Sequence, residues 1–346
     1  MFKTLLLAIF SRILIIIISL SVKYISPPYD YCIKDNYSLL RWDAIHFLDI
    51  INYKYSTEHS TVFFPLLPFM IRYTYNIINP NMEIFTYSIL FNNIVFILSV
   101  LLFSKMIKKI IKDKVLQNVS IVLFIFSPSS VIFSSLYSES LFVLIFLIGI
   151  NQLLSKMYIK SSITFSLLGI CRSNGILVIL LIPFKNFYQY ILSLSIILFP
   201  LSIYQLYILY LLTKEYCWFN LRIPYSYIQW KYWDQGFLNF FKSENLFDLI
   251  VGLPIILLSL RIFFIGKGNY INNNSLYYRM LLLFVINIFM TIFFLHWNMV
   301  MRFISYNPIV YIKIGEYYLR NKKIMKVYLT YLLVYLLLFS NYFPPA

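Results

Sequence analysis

Long apolar runs recur along the whole chain, with short polar segments between them. A helix that spans a membrane needs about 20 consecutive and mainly apolar residues. Stretches close to that length cover residues 4–22, 84–103, 116–134, 140–155, 188–212, 247–265, 277–295 and 325–342. The pattern therefore predicts an all-α polytopic membrane protein, with one integral membrane domain over residues 1–346.

Two shorter apolar regions are interrupted in ways that a straight spanning helix does not tolerate. Pro65 and Pro68 fall within residues 62–78, and proline inside a helix removes a hydrogen bond and clashes with the preceding turn. We expect a re-entrant segment there, or one that lies along the membrane surface. Polar residues at 171–175 break the stretch 161–184, which predicts two short helices or a re-entrant hairpin that lines a cavity.

The composition supports the membrane assignment. Hydrophobic residues make up 61% of the chain and charged residues only 12%, whereas a typical soluble domain is about half apolar and about a quarter charged. So few charges would not cover the surface of a soluble fold of this size, and that class is excluded.

The net charge of +16 comes from 29 basic and 13 acidic residues, and it reflects topology. Basic residues cluster beside the apolar runs, at Lys105, Lys108, Lys109, Lys112, Lys114, Lys156, Lys160, Arg320, Lys322, Lys323 and Lys326. Because Lys and Arg are enriched in cytosolic loops, these clusters predict the cytosolic ends of the spans. We therefore expect a membrane environment and no nucleic-acid partner.

This topology places most of the acidic residues on the opposite side of the membrane. That side comprises two large loops, at about 23–83 and 213–246, together with short connections. Its acids are Asp30, Asp35, Asp43, Asp49, Glu58, Glu83, Glu139, Glu215, Asp234, Glu244 and Asp248. Any chemistry that needs a carboxylate should be sought on this side.

The first large loop carries Arg41, Trp42, Asp43 and His46 at the start of an amphipathic segment. The spacing predicts a helix along the membrane surface, with Asp43 and His46 on one face. Two interpretations stay open: a pair of catalytic groups, or a capping aspartate with an ordinary surface histidine. Glu58 and His59 add a second carboxylate and imidazole, or belong to a solvated loop.

Charged residues at the ends of the other apolar stretches also allow two interpretations, a functional one and a structural one. Glu139 is suited to bind a donor group or to begin a helix, and Arg172 needs a partner, a cavity or a lipid phosphate. Arg302, beside His296, binds phosphate or extends to the membrane surface.

The second large loop combines aromatic residues with Gln229 and Asp234. This combination is typical of a sugar-binding surface or of an aromatic belt at the bilayer surface. The chain has no HExxH motif, Cys/His quartet, Walker loop or GxGxxG motif, so we predict neither a metal nor a cofactor.

Six segments, taken together, resemble the PIG-V family of GPI mannosyltransferases. They are RWDAIHFLDI at 41–50, EHSTVFFPLLP at 58–68, SPSSVIFSSLYSESLF at 127–142, CRSNGIL at 171–177, YSYIQWKYWDQGFL at 225–238 and HWNMVMRFI at 296–304. They occur in the expected order over most of the chain. The departures are Cys171, where a small residue is expected, and shorter loops.

The resemblance implies a GT-C-type helical fold in the endoplasmic reticulum membrane, with the active site in lumenal loops. It implies transfer of mannose from dolichyl-phosphate mannose to a GPI glycolipid, as the second mannose in an α1,6 link. The catalytic base would be Asp43. Since the donor sugar is β-linked, an α product requires one displacement with inversion and a single base.

The remaining candidates would contact substrates. They are Arg41, Trp42, His46, Glu58, His59, Glu139, Arg172, Asn174, Gln229, Asp234, His296 and Arg302. Of these, Arg41, Arg172, His296 and Arg302 are candidates for the donor phosphate, and His46 would orient Asp43 or bind the acceptor. An accessory membrane subunit is a further potential partner. The alternative functions are those of a membrane transporter and of a non-catalytic scaffold subunit of a GPI-processing complex.

Overall fold

The computed structural model describes residues 2–25, 38–184, 186–211, 223–265, 274–341 and 343. Residues 26–37 and 212–222, which belong to or adjoin the two large predicted loops, lie outside the described residues. All the regular elements within the described part are helices.

The α-helices are numbered here in chain order. They are α1 Phe2–Ile25, α2 Asp43–Tyr53, α3 Leu66–Ile78, α4 Ile84–Ile110, α5 Lys114–Ile125, α6 Ser130–Ser134, α7 Glu139–Leu154, α8 Tyr158–Gly169, α9 Phe187–Leu211, α10 Pro224–Trp233, α11 Leu246–Phe263, α12 Asn274–Phe294, α13 Val300–Ile304, α14 Pro308–Arg320 and α15 Ile324–Ser340. Short 3₁₀ helices cover His59–Val62, Ser173–Leu181, Ser243–Asn245 and Trp297–Met299.

Five of the described helices are long and apolar enough to cross a membrane. They lie in α1, α4, α9, α11 and α12, and each coincides with a predicted span. Helices α7 and α15 also match predicted spans, but they have only 16 and 17 residues. The prediction of an all-α polytopic membrane protein is confirmed.

The single helix predicted over residues 116–134 is wrong. Helix α5 ends at Ile125, and the short α6 begins at Ser130. Pro128 lies in this gap, where it has no N–H to continue the helix and its ring would clash with the carbonyl four residues earlier. The break leaves carbonyl groups without helical partners inside an apolar bundle, which is costly unless other donors reach them.

Arg12 of α1 supplies those donors. Its Nη2 donates to the carbonyl of Ile125 at 3.1 Å, and its Nη1 donates to the carbonyl of Ser130 and to Ser134 Oγ, also at 3.1 Å. The guanidinium lies 4.0 Å from the centre of the Phe96 ring, and Arg12 is buried. A charged side chain in the first span thus stabilises a break more than 100 residues away in the sequence.

The prolines of the first interrupted region begin a helix, whereas the polar residues of the second separate two helices. Pro65 and Pro68 stand at the N-cap and in the first turn of α3, where helical N–H groups have no partner within the helix, so both prolines are tolerated. The second region has the two predicted short helices, α8 and Ser173–Leu181. Gly175 allows them to pack closely, because a Cβ there would lie 2.1 Å from the carbonyl oxygen of Leu168.

Replacing Arg12 with Met should destabilise the protein by about 2–4 kcal/mol, because the carbonyls at the α5–α6 break lose their charged donor. Thermal unfolding in detergent micelles measures this. Arg261→Met is the matched control, since Arg261 is exposed on α11 and should lose at most about 1 kcal/mol from its contact with the Tyr317 ring. Equal losses in the two variants would contradict a specific role for Arg12.

Candidate active site

Four charged side chains form a continuous series of ion pairs. Arg302 Nη2 lies 2.6 Å from Asp43 Oδ2, and Arg302 Nε lies 2.6 Å from Glu139 Oε1. Arg172 Nη1 lies 2.5 Å from the same oxygen of Glu139. The two positive and two negative charges balance, as the burial of ionised groups requires.

Each of these four residues lies at the beginning of a helix, in a break between helices or in a helix of only five residues. Asp43 is the first residue of α2 and Glu139 is the first residue of α7, where the helix dipole favours negative charge. Arg172 lies in the break between α8 and the 3₁₀ helix, and Arg302 lies in the short α13. Interruptions of the bundle therefore bring the four charges together.

Asp43 is the accessible member of the series. Its side chain is 27% exposed, whereas those of Glu139 and Arg302 are 2% and 5% exposed. Asp43 Oδ2 is held by Arg302, and Oδ1 makes no hydrogen bond to the described residues. One carboxylate oxygen is therefore oriented by the protein, and the other remains available to a ligand.

A cavity of about 320 Å³ lies beside this series, and it is called the polar cavity here for the charged side chains on its partly apolar wall. Its volume is in the usual range for small-molecule sites. Polar and charged side chains on its wall are Asp43, Ser138, Arg172, Ser173, Gln229, Gln235, Asp248, His296, Asn298 and Arg302. The aromatic residues Trp42, Tyr225 and Trp233 also line it. Rings next to carboxylate, amide and guanidinium groups suit a ligand that is both sugar-like and anionic.

A second cavity, of about 620 Å³, adjoins the first and is mostly apolar. Its apolar wall includes Ile176, Leu177, Phe237, Met290 and Phe294. Residues shared by both walls are Ser173, Tyr225, Gln229, Gln235, Leu295 and Phe303. The pair of cavities thus offers a compartment with charged side chains beside one without them.

The structure brings most of the predicted site residues together. Trp42, Asp43, Arg172, Gln229, His296 and Arg302 line the polar cavity. Glu139 lies behind the wall and holds Arg172 and Arg302 in place. Asn174 lines the apolar cavity, and its buried side-chain amide has no hydrogen-bond partner among the described residues.

Arg41 lies on the wall of neither cavity. It is buried, and its guanidinium donates to the carbonyls of Ser340 at 3.3 Å and Leu40 at 3.1 Å. Its position beside Asp43 in the sequence suggested a contact with the donor phosphate, but its side chain is directed to the end of α15.

His46 shares α2 with Asp43 and also lies on the wall of neither cavity. Its ring stacks on Phe63 at a centroid distance of 4.6 Å, with His59 at 5.3 Å. Within the described part of the chain, the hydrogen bond that orients Asp43 comes from Arg302 and not from His46.

Glu58, His59 and Asp234 also lie off both cavity walls. Glu58 Oε2 accepts hydrogen bonds from Lys231 Nζ and Tyr232 Oη, each at 2.8 Å, which join its turn to α10. The ring of His59 lies 5.6 Å from that of Tyr232. Asp234 forms an ion pair with Lys242 near the surface.

Sequence reasoning singled out no role for several residues of the polar cavity, above all Asp248. The available signal was its place near the start of a predicted span, on the acid-rich side. Tyr225 and Ser173 were also missed as site residues, and both line the two cavities where α10 and the broken hairpin contribute to the walls. Among the described residues, no group of three or more His, Cys, Asp and Glu side chains is arranged to hold a metal ion.

The fold and the site together define a multi-pass membrane protein with an oriented carboxylate, two arginines and adjoining polar and apolar cavities. The family model described as mannosyltransferase (PIG-V) matches residues 4–194, which is more than half of the chain. The chain therefore belongs to the PIG-V mannosyltransferase family.

Its relatives include proteins from yeasts and animals. GPI mannosyltransferase 2 of Candida albicans is 28% identical over 89% of this chain and 85% of its own length. The protein of the same name from Schizosaccharomyces pombe is 25% identical over 89% of this chain and 74% of its own length. GPI alpha-1,6-mannosyltransferase 2 of Homo sapiens is 23% identical over 64% of this chain and 56% of its own length.

Glu139 pairs with both Arg172 and Arg302, so its charge should contribute to the stability of the protein. Glu139→Gln keeps the shape of the side chain but removes the charge that balances two buried arginines, so we expect a loss of about 3–5 kcal/mol. Thermal unfolding in micelles measures it, with Glu83→Gln at the exposed start of α4 as the control. Equal melting temperatures for the Glu139 variant and the wild type would refute the role of this carboxylate.

His46 should make the stability of the protein depend on pH. Burial lowers the pKa of His46 below its usual value, against the opposing effect of the Asp43 carboxylate. As the pH falls below about 6.5, the unfolded chain takes up this proton before the folded chain does, so the folded state loses stability.

Replacement of His46 with Gln should therefore reduce the loss of stability between pH 7.5 and 5.5, as measured by thermal unfolding at the two values. His59→Gln, one ring away, should retain most of the wild-type dependence. The same pH dependence in the His46 variant and the wild type would show that another group is responsible.

Proposed function

We propose that this protein adds the second mannose to the GPI-anchor precursor, in an α1,6 link, with dolichyl-phosphate mannose as the donor. The observation that carries the proposal is the oriented and accessible carboxylate of Asp43, flanked by arginines, in a chain of the PIG-V mannosyltransferase family. The names of the related proteins indicate the acceptor class and the linkage.

Asp43 is the general base in this proposal. The acceptor hydroxyl gives its proton to Oδ1 as its oxygen attacks the anomeric carbon of mannose. The new C–O bond forms on the face opposite the phosphate, and the bond to the phosphate oxygen breaks with its electron pair. Because the attack inverts the configuration, the β-linked donor yields an α-linked product and dolichyl phosphate.

Arg172 and Arg302 bind the donor phosphate and stabilise the charge that develops as it leaves. Both line the polar cavity, and Arg302 Nη1 is buried without a partner among the described residues. A guanidinium donates charge-assisted hydrogen bonds to phosphate oxygens, and such donors are strongest where water is excluded. Glu139 fixes both arginines, so they need little reorganisation as the reaction proceeds.

The two cavities match the two parts of a lipid-linked sugar. The amide and aromatic side chains of Gln229, Gln235 and Trp233 suit a sugar ring in the polar cavity. The adjoining apolar cavity suits the lipid next to the phosphate. This division supports a donor whose sugar and lipid meet at one phosphate group.

We further propose that the site faces the lumen of the endoplasmic reticulum. The acidic residues Asp43, Glu139 and Asp248 lie in or beside the site. Basic residues gather elsewhere, as at the last turn of α4, where Lys108 and Lys109 lie. Under the rule that places basic residues in the cytosol, this separation supports a lumenal site. The need for an accessory membrane subunit stays a prediction.

Asp43→Asn should lower the rate of mannose transfer by about 100- to 10,000-fold, because the amide cannot accept the proton of the acceptor hydroxyl. Purified protein in detergent, given dolichyl-phosphate mannose and a GPI precursor with one mannose, provides the assay. Asp49→Asn is the matched control, since Asp49 is exposed on the same helix and should leave the rate unchanged.

This assay tests the role of Asp43 and the proposed reaction separately. Full activity of Asp43→Asn would exclude Asp43 as the base while leaving the reaction in place. Absence of transfer by the folded wild-type protein, beside an active relative in the same assay, would overturn the proposed reaction.

A further inference from the structure

The polar cavity contains a second carboxylate that the proposed mechanism does not use. Asp248 lines the cavity together with Asp43. Unlike Asp43, it has no ion pair and no hydrogen bond with the described residues, although it is partly buried. A carboxylate in such a place loses hydration, and it regains hydrogen bonds only when a ligand brings donors.

Close packing of α11 against the 3₁₀ helix Trp297–Met299 fixes the position of Asp248. A Cβ at Gly252 would lie 2.4 Å from the carbonyl oxygen of Trp297, so only glycine permits this contact. Asp248 precedes Gly252 by four residues and therefore lies on the same face of α11. The close approach of the two elements thus directs Asp248 toward the segment that carries His296.

His296 lies on the same cavity wall as Asp248. His296 is itself held in place, with Nε2 3.1 Å from the carbonyl oxygen of Trp233 and its ring 4.5 Å from the centre of Phe240. The carboxylate therefore stands against a fixed ring and not against a flexible cation that would neutralise it.

Other polar atoms of the same cavity are also without partners. Arg302 Nη1 and Asn298 Oδ1 are buried, and neither has a hydrogen-bond partner among the described residues. Arg302 as a whole is only 4% exposed. With the donor phosphate on Arg302, the acceptors Asn298 Oδ1 and Asp248 remain for a ligand with several hydroxyl groups.

The Asp248 carboxylate is better suited to bind a sugar hydroxyl than an anion or an apolar chain. An ionised carboxylate is only an acceptor, and it binds two neighbouring hydroxyls through charge-assisted hydrogen bonds. Trp233 and Gln229 on the same wall supply an aromatic face and an amide for the rest of the ring.

We propose that Asp248 is a sugar-binding residue that accepts hydrogen bonds from the hydroxyl groups of a mannose held in the polar cavity. The inference rests on the proposed function, because it takes the sugar from the substrates of that reaction. The mannose belongs either to the donor or to the acceptor glycolipid, and the chemistry of recognition is the same for both. Asp43 remains the base, and Asp248 contributes affinity and selectivity.

The test measures how much a mannose adds to the affinity for each lipid. Quenching of tryptophan fluorescence reports binding, because Trp42 and Trp233 line the cavity. In the first arm, wild type and Asp248→Asn are titrated with dolichyl-phosphate mannose and with dolichyl phosphate. In the second arm, they are titrated with the GPI precursor that has one mannose and with the precursor that has none.

The gain in affinity from mannose is the Kd for the lipid without mannose divided by the Kd for the lipid with it. In one arm, this ratio should be roughly 10- to 150-fold smaller in Asp248→Asn than in the wild type, the range for hydrogen bonds to a charged group. Affinity for the lipid without mannose should stay within about threefold of the wild type. The arm that responds identifies the source of the sugar. Glu244→Gln, at an exposed site just before α11, is the matched control and should behave as the wild type in both arms.

The result that would overturn the inference is an unchanged gain in affinity from mannose in both arms. A fall in kcat with unchanged Kd values would also overturn it, because Asp248 would then act in the chemical step. Binding needs no turnover, so these outcomes are distinct from a failure of the proposed reaction. A wild-type protein that binds the lipids through Asp248 but transfers no mannose would refute only the proposed reaction.

Discussion

The ion pairs that Glu139 makes with Arg172 and Arg302 are the interaction on which the site depends. The oxygen Oε1 accepts from both guanidinium groups, at 2.5 and 2.6 Å, and the glutamate is almost completely buried. Removing three charged groups from water is costly, and only close pairing with further hydrogen bonds offsets that cost. This carboxylate therefore fixes where the broken hairpin and α13 meet, and through Arg302 it fixes Asp43.

The chemistry of this protein is concentrated where its helices are interrupted. Helices of a membrane bundle satisfy their own backbone groups, whereas interruptions must be buried in protein or line a cavity. The breaks at 126–129 and 170–172 are largely buried, and the break at 295–299 is half-buried. Residues of the second and third breaks line the polar cavity, and Ser129 in the first donates to the carbonyl of Met301, beside Arg302. Arg12 shows the cost of such a break, since a buried cation is required to satisfy the carbonyls beside Pro128.

The amino-acid sequence was a reliable guide to long and regular elements and a poorer guide to interrupted ones. The apolar stretches of α1, α4, α9, α11 and α12 were predicted because length and hydropathy alone decide whether a helix can cross a membrane. The same criterion joined α5 and α6 into one helix, because average hydropathy does not register that a distant arginine can stabilise a break. Pro65 and Pro68 were interpreted as incompatible with a straight spanning helix, and the helix α3 that they begin has only 13 residues.

For the site, the sequence by itself predicted which side holds the carboxylates, and it singled out Asp43 in the first large loop and Glu139, Arg172 and Arg302 at apolar stretches. Only the tertiary structure decided their pairing, since Arg302 and Asp43 are 259 residues apart. It also directed Arg41 and His46 away from the cavity and brought Asp248 into it. The physical reason is that periodicity and composition show which residues must be buried or exposed to water, whereas the partner of each charge depends on how the helices pack.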